Sequence, residues 1–186
     1  MPEDNKKLFE LGCGTGFFTE FVLNTRPNLE ITSMDKSPWM LEIVRNKSEL
    51  EGVKLILGNV FETWPSENYD VILTALNLHH FNNTDKFNLI KMIHGSLNKG
   101  GLFITADVFK PDTEFEEMTY RNMWFDSMIE AGFSEENAKS MIEMRKSAYD
   151  SIDTLEGYKR KLIDAGFRNI CCPYVNYIYG IFVAYK

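Results

Sequence analysis

Cysteine and histidine are scarce in this chain, three of each in 186 residues. Two of the cysteines, Cys171 and Cys172, are adjacent, so they define neither a disulfide framework nor a spaced zinc set. No His/Asp/Glu cluster stands at ligand spacing, and no metal is expected. Positive charge is also short. Lys+Arg 20 against Asp+Glu 27 leaves a net charge of −7, and no basic block or stripe offsets it, which argues against a nucleic-acid partner. The longest apolar stretch, near Tyr177–Tyr185, falls well below the roughly 20 residues a bilayer-spanning helix needs. The opening MPEDNKK lacks the apolar segment of a signal peptide. The expectation is a soluble, cytoplasmic protein without membrane contact, one domain over residues 1–186. Its 44% hydrophobic and 25% charged content is ordinary for a chain that buries a core.

What is present alternates short apolar runs with amphipathic stretches. Lys7–Leu11 reads as a strand that runs straight into CGTG, and Phe17 to Asn24 as a helix ended before Pro27. Glu30–Asp35 is a second strand, followed by a helix that Ser37 caps and Pro38 opens, continuing through Lys47. Val53–Leu57 and Tyr69–Thr74 are continuous apolar runs, as strands covered on both faces of a parallel sheet are. Only Gly58 to Asn68 joins them, enough for about one helical turn. A helix over Thr84–Leu97 is closed by Asn98-Lys99-Gly100-Gly101, and Leu102–Val108 is a fifth strand. From Pro111 to Ala148 two helices, about Thr113–Ala131 and Ser134–Ala148, interrupt the alternation before a third at Thr154–Ala165. Strands Arg168–Tyr174 and Tyr177–Tyr185, separated only by Val175-Asn176, must form an antiparallel hairpin. The predicted fold class is α/β: a seven-stranded, mostly parallel sheet with a C-terminal antiparallel hairpin and a helical insertion after strand five.

Gly12, Gly14 and Gly16 lie between the first strand and the first helix, where the backbone can turn sharply and a ligand can approach closely. A dinucleotide fingerprint would place its third glycine at position 17, which is Phe, and no Gly-Lys-Ser/Thr of a P-loop follows. Asp35 ends the second strand, where an acid accepts both hydroxyls of a ribose, although an aspartate there also serves simply to precede a helix.

These residues resemble the class I S-adenosylmethionine (SAM) dependent methyltransferases, of Rossmann-like fold. LFELGCGTGFF is similar to that family's first motif, Leu57-Gly58-Asn59-Val60 to its adenine-holding turn, and Tyr69-Asp70-Val71-Ile72 through His79-His80-Phe81 to its fourth-strand motif. The turn Leu97–Gly101 and the closing hairpin continue the likeness, which covers Lys7 to Lys186. The resemblance implies SAM as cofactor, held by Glu10, Gly12, Gly14, Asp35, Lys36, Met40, Asn59, Val60 and Ala75. Asn59 departs from the usual Asp, keeping an acceptor but not a charge. Trp39 is placed either against the adenine or in helix–sheet packing. Family members usually carry N-terminal helices before the glycine motif, whereas Met1 lies eleven residues before Gly12. The expectation is a truncated chain, or a lid supplied by another segment or subunit.

On the acceptor side, His79 and His80 lie just past strand four, where one of them accepts a proton from or orients the acceptor, or both merely pack and cap. The insertion 111–148 is expected to cover the acceptor site. Its first helix has one apolar face with Phe115, Met118, Phe125 and Ile129 and another with Tyr120 and Trp124, one of which packs on the domain while the other lines a pocket or forms a homodimer. The insertion and tail also resemble the carboxy-SAM synthase group, for which Arg145 is the candidate anion-binding residue; a solvated surface arginine is the alternative. The leading functional reading is SAM-dependent methyl transfer to a small-molecule acceptor. A carboxy-SAM-synthase-like activity, or a SAM-binding module that needs a partner, stands beside it. A nicotinamide oxidoreductase is disfavoured by Phe17.

Overall fold

The computed structural model describes residues 6–186. The elements in chain order are β1 (Lys7–Leu11), α1 (Phe17–Thr25), β2 (Glu30–Asp35), α2 (Pro38–Arg45), β3 (Lys54–Leu57), β4 (Tyr69–Ala75), α3 (Asn83–Ser96), β5 (Leu97–Val108), α4 (Glu114–Glu130), α5 (Glu135–Ser147), α6 (Leu155–Asp164), β6 (Arg168–Asn176) and β7 (Tyr179–Tyr185). The strands form one sheet in the order β3-β2-β1-β4-β5-β7-β6. β1 to β5 are parallel, and β7 runs antiparallel to both β5 and β6. The sheet is therefore seven-stranded, mostly parallel and Rossmann-like, as the alternation predicts.

Alternation along the strands sends neighbouring residues to opposite faces. Phe9, Leu11, Met34, Ile72 and Phe103 pack with Leu89, Ile90 and Ile93 of α3 and with Tyr158 and Leu162 of α6. Leu8, Ile31, Val71 and Leu73 pack on the other face with Val22 of α1. Both faces of β1 and β4 are covered, and their buried positions are mostly apolar. The strand at Val53–Leu57, expected to be covered on both faces, instead lies at the sheet edge as β3 and leaves Lys54 and Leu57 exposed. No helix among the described residues is long and apolar enough to cross a membrane.

Beside shifts of one or two residues at element ends, such as α2 ending at Arg45 rather than Lys47, two boundaries differ from the sequence reading in a way that alters the sheet. α3 stops at Ser96, and the glycine turn is absorbed into β5. Leu97 pairs with Tyr69, and pairing resumes only at Leu102 with Val71, so residues 98–101 loop out as a wide irregularity in the strand. Gly100 takes a φ of +75°, and a Cβ on Gly101 would lie 2.8 Å from the Asn98 carbonyl, so the fold-back closes around glycine. The hairpin turn lies at Tyr177-Ile178, not at Val175-Asn176, and Tyr177 adopts a φ of +52°. Burial decides this register: Ile178 is 1% exposed against Trp124, Met128 and Ala138, and its carbonyl accepts the Phe109 N–H at 2.6 Å. The same contacts seat the insertion, α4 and α5, on the hairpin.

The chain passes from β1 through α1 to β2 and β3 on one side, then crosses to β4 on the other side of β1. In open α/β sheets that reversal leaves a crevice beyond the carboxyl ends of the strands.

Candidate functional site

A cleft of about 740 Å³ opens at this reversal. It is lined by the loop after β1, the ends of β2 and β4, and the turns after β3 and β4. Glu10, Gly12, Gly14, Asp35, Lys36, Met40, Asn59, Val60 and Ala75 all reach it, and so does His80.

The glycine loop is stitched to the end of β2. The N–H groups of Gly12 and Cys13 donate to the Met34 carbonyl at 2.8 and 3.0 Å, and the Gly14 N–H donates to Asp35 Oδ2 at 2.9 Å. Asp35 Oδ1 accepts the Ser37 N–H at 2.9 Å, so the carboxylate braces both the loop and the start of α2. Gly12 has a φ of +72°, and a Cβ there would stand 2.6 Å from the Asn77 amide; Gly14 has a φ of +53° and open space where a Cβ would be. The loop thus presents bare backbone to the cleft.

Glu10 is 2% exposed and accepts hydrogen bonds from the hydroxyls of Thr19 and Ser33. Burial pushes its carboxyl up to about 7, nearby Asp35 adds to the rise, and the two hydroxyls oppose it. The Cys13 thiol, pushed up to about 12 chiefly by burial, is no nucleophile. Asn59 closes the turn after β3: its Oδ1 accepts the Phe61 N–H at 3.0 Å, and its carbonyl receives the N–H groups of Glu62 and Thr63. Met40 and Val60 line the cleft, whereas Trp39 is 66% exposed and is not among its lining residues, so it serves neither expectation set for it.

The two adjacent histidines part company. His80 lines the cleft, and none of the hydrogen bonds among the described residues involves its ring. His79 turns away, its Nδ1 lying 2.6 Å from Oδ1 of the buried Asp107. The two rings are 4.0 Å apart. Burial foremost, then the His79 ring and Lys36, hold the His80 pKa below the ordinary 6.5, while Asp107 pulls the other way.

Three features escaped sequence reasoning. Leu76 adopts a φ of +49° at the cleft, fixed by its N–H on the Ala106 carbonyl at 2.8 Å. Asn77 fills the space that Gly12 leaves. Asp107 is 4% exposed, and a lone acid in the apolar run LFITADVF was the available signal.

Arg145 is not a solvated arginine. It is 9% exposed and forks onto Glu117 at 2.5 and 3.0 Å, with a further bond to the Phe109 carbonyl at 3.3 Å. The helices α4 and α5 bring this pair together across 28 residues of sequence, a separation that no local pattern displays. A second cavity, of about 370 Å³, lies beside it between α4 and α5. Of the two apolar faces of α4, the one with Trp124 packs inward, with Tyr120 and Phe125 partly covered, while Phe115, Met118 and Ile129 stay exposed.

A sheet of this order, closed by an antiparallel hairpin, with a glycine loop braced by an acid at the end of β2, is the architecture of the class I SAM-dependent methyltransferases. The family model described as methyltransferase domain matches residues 8–101, and the chain belongs to that family, whose cofactor is SAM. It is 25% identical over 169 residues to a carboxy-S-adenosyl-L-methionine synthase of Staphylococcus epidermidis, covering 90% of this chain and 73% of that protein. It is 33% identical over 118 residues to malonyl-[acyl-carrier protein] O-methyltransferase 2 of Ilyobacter polytropus, covering 61% of this chain and 44% of that one. The crystal structure of human N-acetylserotonin methyltransferase in complex with SAM superposes with a TM-score of 0.68 at 18% identity, over 97% of this chain and 47% of that one. The chain thus spans less than half of the last two.

Proposed function

We propose that this chain carries the cofactor site and reacting end of an enzyme that transfers a methyl group from SAM to a small-molecule acceptor. The observation that carries the reading is the charge around the glycine loop. Asp35 and Asp85 line the cleft beside the buried Glu10, whose carboxyl is pushed up to about 7, and Lys36 is the one lysine or arginine among its described lining residues. A dinucleotide pyrophosphate would be repelled there, whereas a ligand bearing a sulfonium and an ammonium group is attracted. The donor set fits SAM in detail. Each oxygen of Asp35 takes one backbone N–H and keeps a lone pair for a ribose hydroxyl. Met40 and Val60 offer apolar surface to an adenine, Asn59 an amide to its edge, and Gly12 and Gly14 close backbone approach to the methionine part.

SAM, when bound, supplies a methyl group activated by the positive sulfur, and the acceptor lone pair displaces a neutral thioether. The protein contributes orientation foremost. His80, neutral at pH 7 and with a ring that makes no hydrogen bond among the described residues, takes the proton an O–H or N–H acceptor gives up. The insertion at residues 111–148 leaves the carboxyl end of β5, on the side where the cleft opens, and is assigned to the acceptor side on that ground, although none of its residues lines the cleft. The exposed Phe115 and Met118 of α4 support a homodimer through the insertion helices, and three free cysteines suit a cytoplasmic location.

Calorimetric titration with S-adenosylhomocysteine, with NADH as control, tests the reading. Binding of the first and not the second is expected; the reverse, or no binding at all, overturns it. The long match to the carboxy-SAM synthase supports a second reading, in which SAM itself is modified. Mass spectrometry separates the two: turnover yields S-adenosylhomocysteine in the first case and a carboxylated SAM in the second.

A further inference from the structure

We propose that Asp107 is a positioning residue: by gripping His79 through both ring and backbone, it fixes the neighbouring His80 imidazole at the cleft, where the proton of the acceptor is received. The inference rests on the functional reading above, and it names a residue outside the cleft that serves the same site.

Every acceptor atom of Asp107 is committed. Oδ1 meets His79 Nδ1 at 2.6 Å and accepts the Val108 N–H at 2.8 Å, and Oδ2 accepts the His79 backbone N–H at 3.2 Å. A carboxylate only accepts, so the short contact at Nδ1 requires the proton to reside there, and His79 is held in one tautomer. The side chain of Asp107 is 4% exposed and that of His79 16%, so water does not compete effectively for either. The grip joins the end of β5 to the short turn after β4. That turn holds His80, whose ring lies 4.0 Å from the His79 ring at 47°. The ring of His80 makes no hydrogen bond among the described residues, and its backbone N–H donates to the Asn77 carbonyl at 3.2 Å, so the His79 ring and the backbone that Asp107 anchors set its direction.

The charged groups facing His80 are His79 beside it, Asp107 behind that, Lys36 from the end of β2, and Asp85 from the start of α3 on the same cleft. Burial, the His79 ring and Lys36 outweigh Asp107 and leave the His80 imidazole unprotonated at neutral pH, the form that accepts a proton. A carboxylate that merely tied down the turn would not need the short contact to the His79 ring.

Nuclear magnetic resonance of the protein labelled with 15N-histidine, with and without S-adenosylhomocysteine, tests the proposal. Assignment uses His79→Gln and His80→Gln variants. In the unmodified protein His79 is expected as the Nδ1–H tautomer, with His80 in a single side-chain rotamer and titrating below 6.5. In Asp107→Asn the amide cannot accept at both oxygens' positions, so His79 loses its fixed tautomer and His80 averages over rotamers. Affinity for S-adenosylhomocysteine changes by no more than about twofold, as for a site outside the cofactor's contacts.

An Nε2–H tautomer of His79, or a His80 charged at pH 7 in the unmodified protein, overturns the proposal without any variant, so a poorly folding Asp107→Asn does not protect it. Unchanged His79 and His80 signals in a folded Asp107→Asn also overturn it. Failure to bind S-adenosylhomocysteine with the expected histidine signals intact would instead remove the cofactor reading and leave the Asp107 geometry standing.

Discussion

Asp35 Oδ2 accepts the Gly14 N–H at 2.9 Å, so the residue that ends β2 holds open the loop that follows β1. Replacing Asp35 with Ala removes this brace, the support of Ser37 and the ribose acceptor together. Hydrogen bonds to a charged group are worth about 1.5–3 kcal/mol, which corresponds to a loss of S-adenosylhomocysteine affinity of roughly 10- to 100-fold. Asp35→Asn, which keeps one acceptor, should fall between the variants. Calorimetry on the three proteins checks the order.

Gly12→Ala should abolish ligand binding. Its Cβ would stand 2.6 Å from the Asn77 amide, at a φ of +72°. An L-residue in that conformation costs about 1–2 kcal/mol in addition to the clash. Adding Asn77→Ala relieves the clash but not the dihedral, so the double variant should regain stability only in part, as read from denaturation midpoints.

Glu10 should make the ligand-free protein less stable as pH rises. Its folded pKa of about 7 lies above the ordinary 4.5, so between these values the folded state holds a proton that the unfolded chain has released. The stabilisation is complete below about 4.5 and lost as pH climbs through 7. At most it amounts to about 3 kcal/mol, given 1.36 kcal/mol per pKa unit. Glu10→Gln should flatten this decline, seen in urea denaturation measured across the window. An unchanged slope in the variant would mean that Glu10 is not the responsible group.

Breaking the Arg145–Glu117 pair from one side should be costly. Arg145→Ala leaves a carboxylate with 20% exposure facing a cavity, and removal of one partner of a buried pair costs about 3–5 kcal/mol. The double change Arg145→Met with Glu117→Leu should cost far less, because no charge is left behind. Chemical denaturation of both variants gives the comparison.

Much of this molecule was legible in its sequence, for a physical reason. Strands covered on both faces carry mostly apolar residues in a short run, so Lys7–Leu11 and Tyr69–Ala75 stand out despite Glu10 and Asp70. Gly12, Asp35, Asn59 and His80 lie at or just past strand ends, and knowing the sheet places them in one crevice. What stayed hidden depends on partners distant in the chain. Arg145 reads as a surface cation until Glu117 and the Phe109 carbonyl are seen around it. The division of labour between His79 and His80 is invisible without Asp107, 28 residues away. The hairpin turn moved two positions because Ile178 is drawn into a pocket made by helices that precede it by decades of residues. Local turn chemistry cannot report such a pull.

The placement of β7 between β5 and β6 has a consequence for biogenesis. During synthesis the cleft-forming strands leave the ribosome first, and β6 then emerges with no neighbour to join until β7 follows it. Throughout that interval the rim of β5 is an unpaired, apolar edge open to other nascent chains. β7 acts as a latch, closing the growing sheet and attaching β6 in a single event. A brake on translation just ahead of it would lengthen the period of exposure, and the risk of aggregation should rise in proportion.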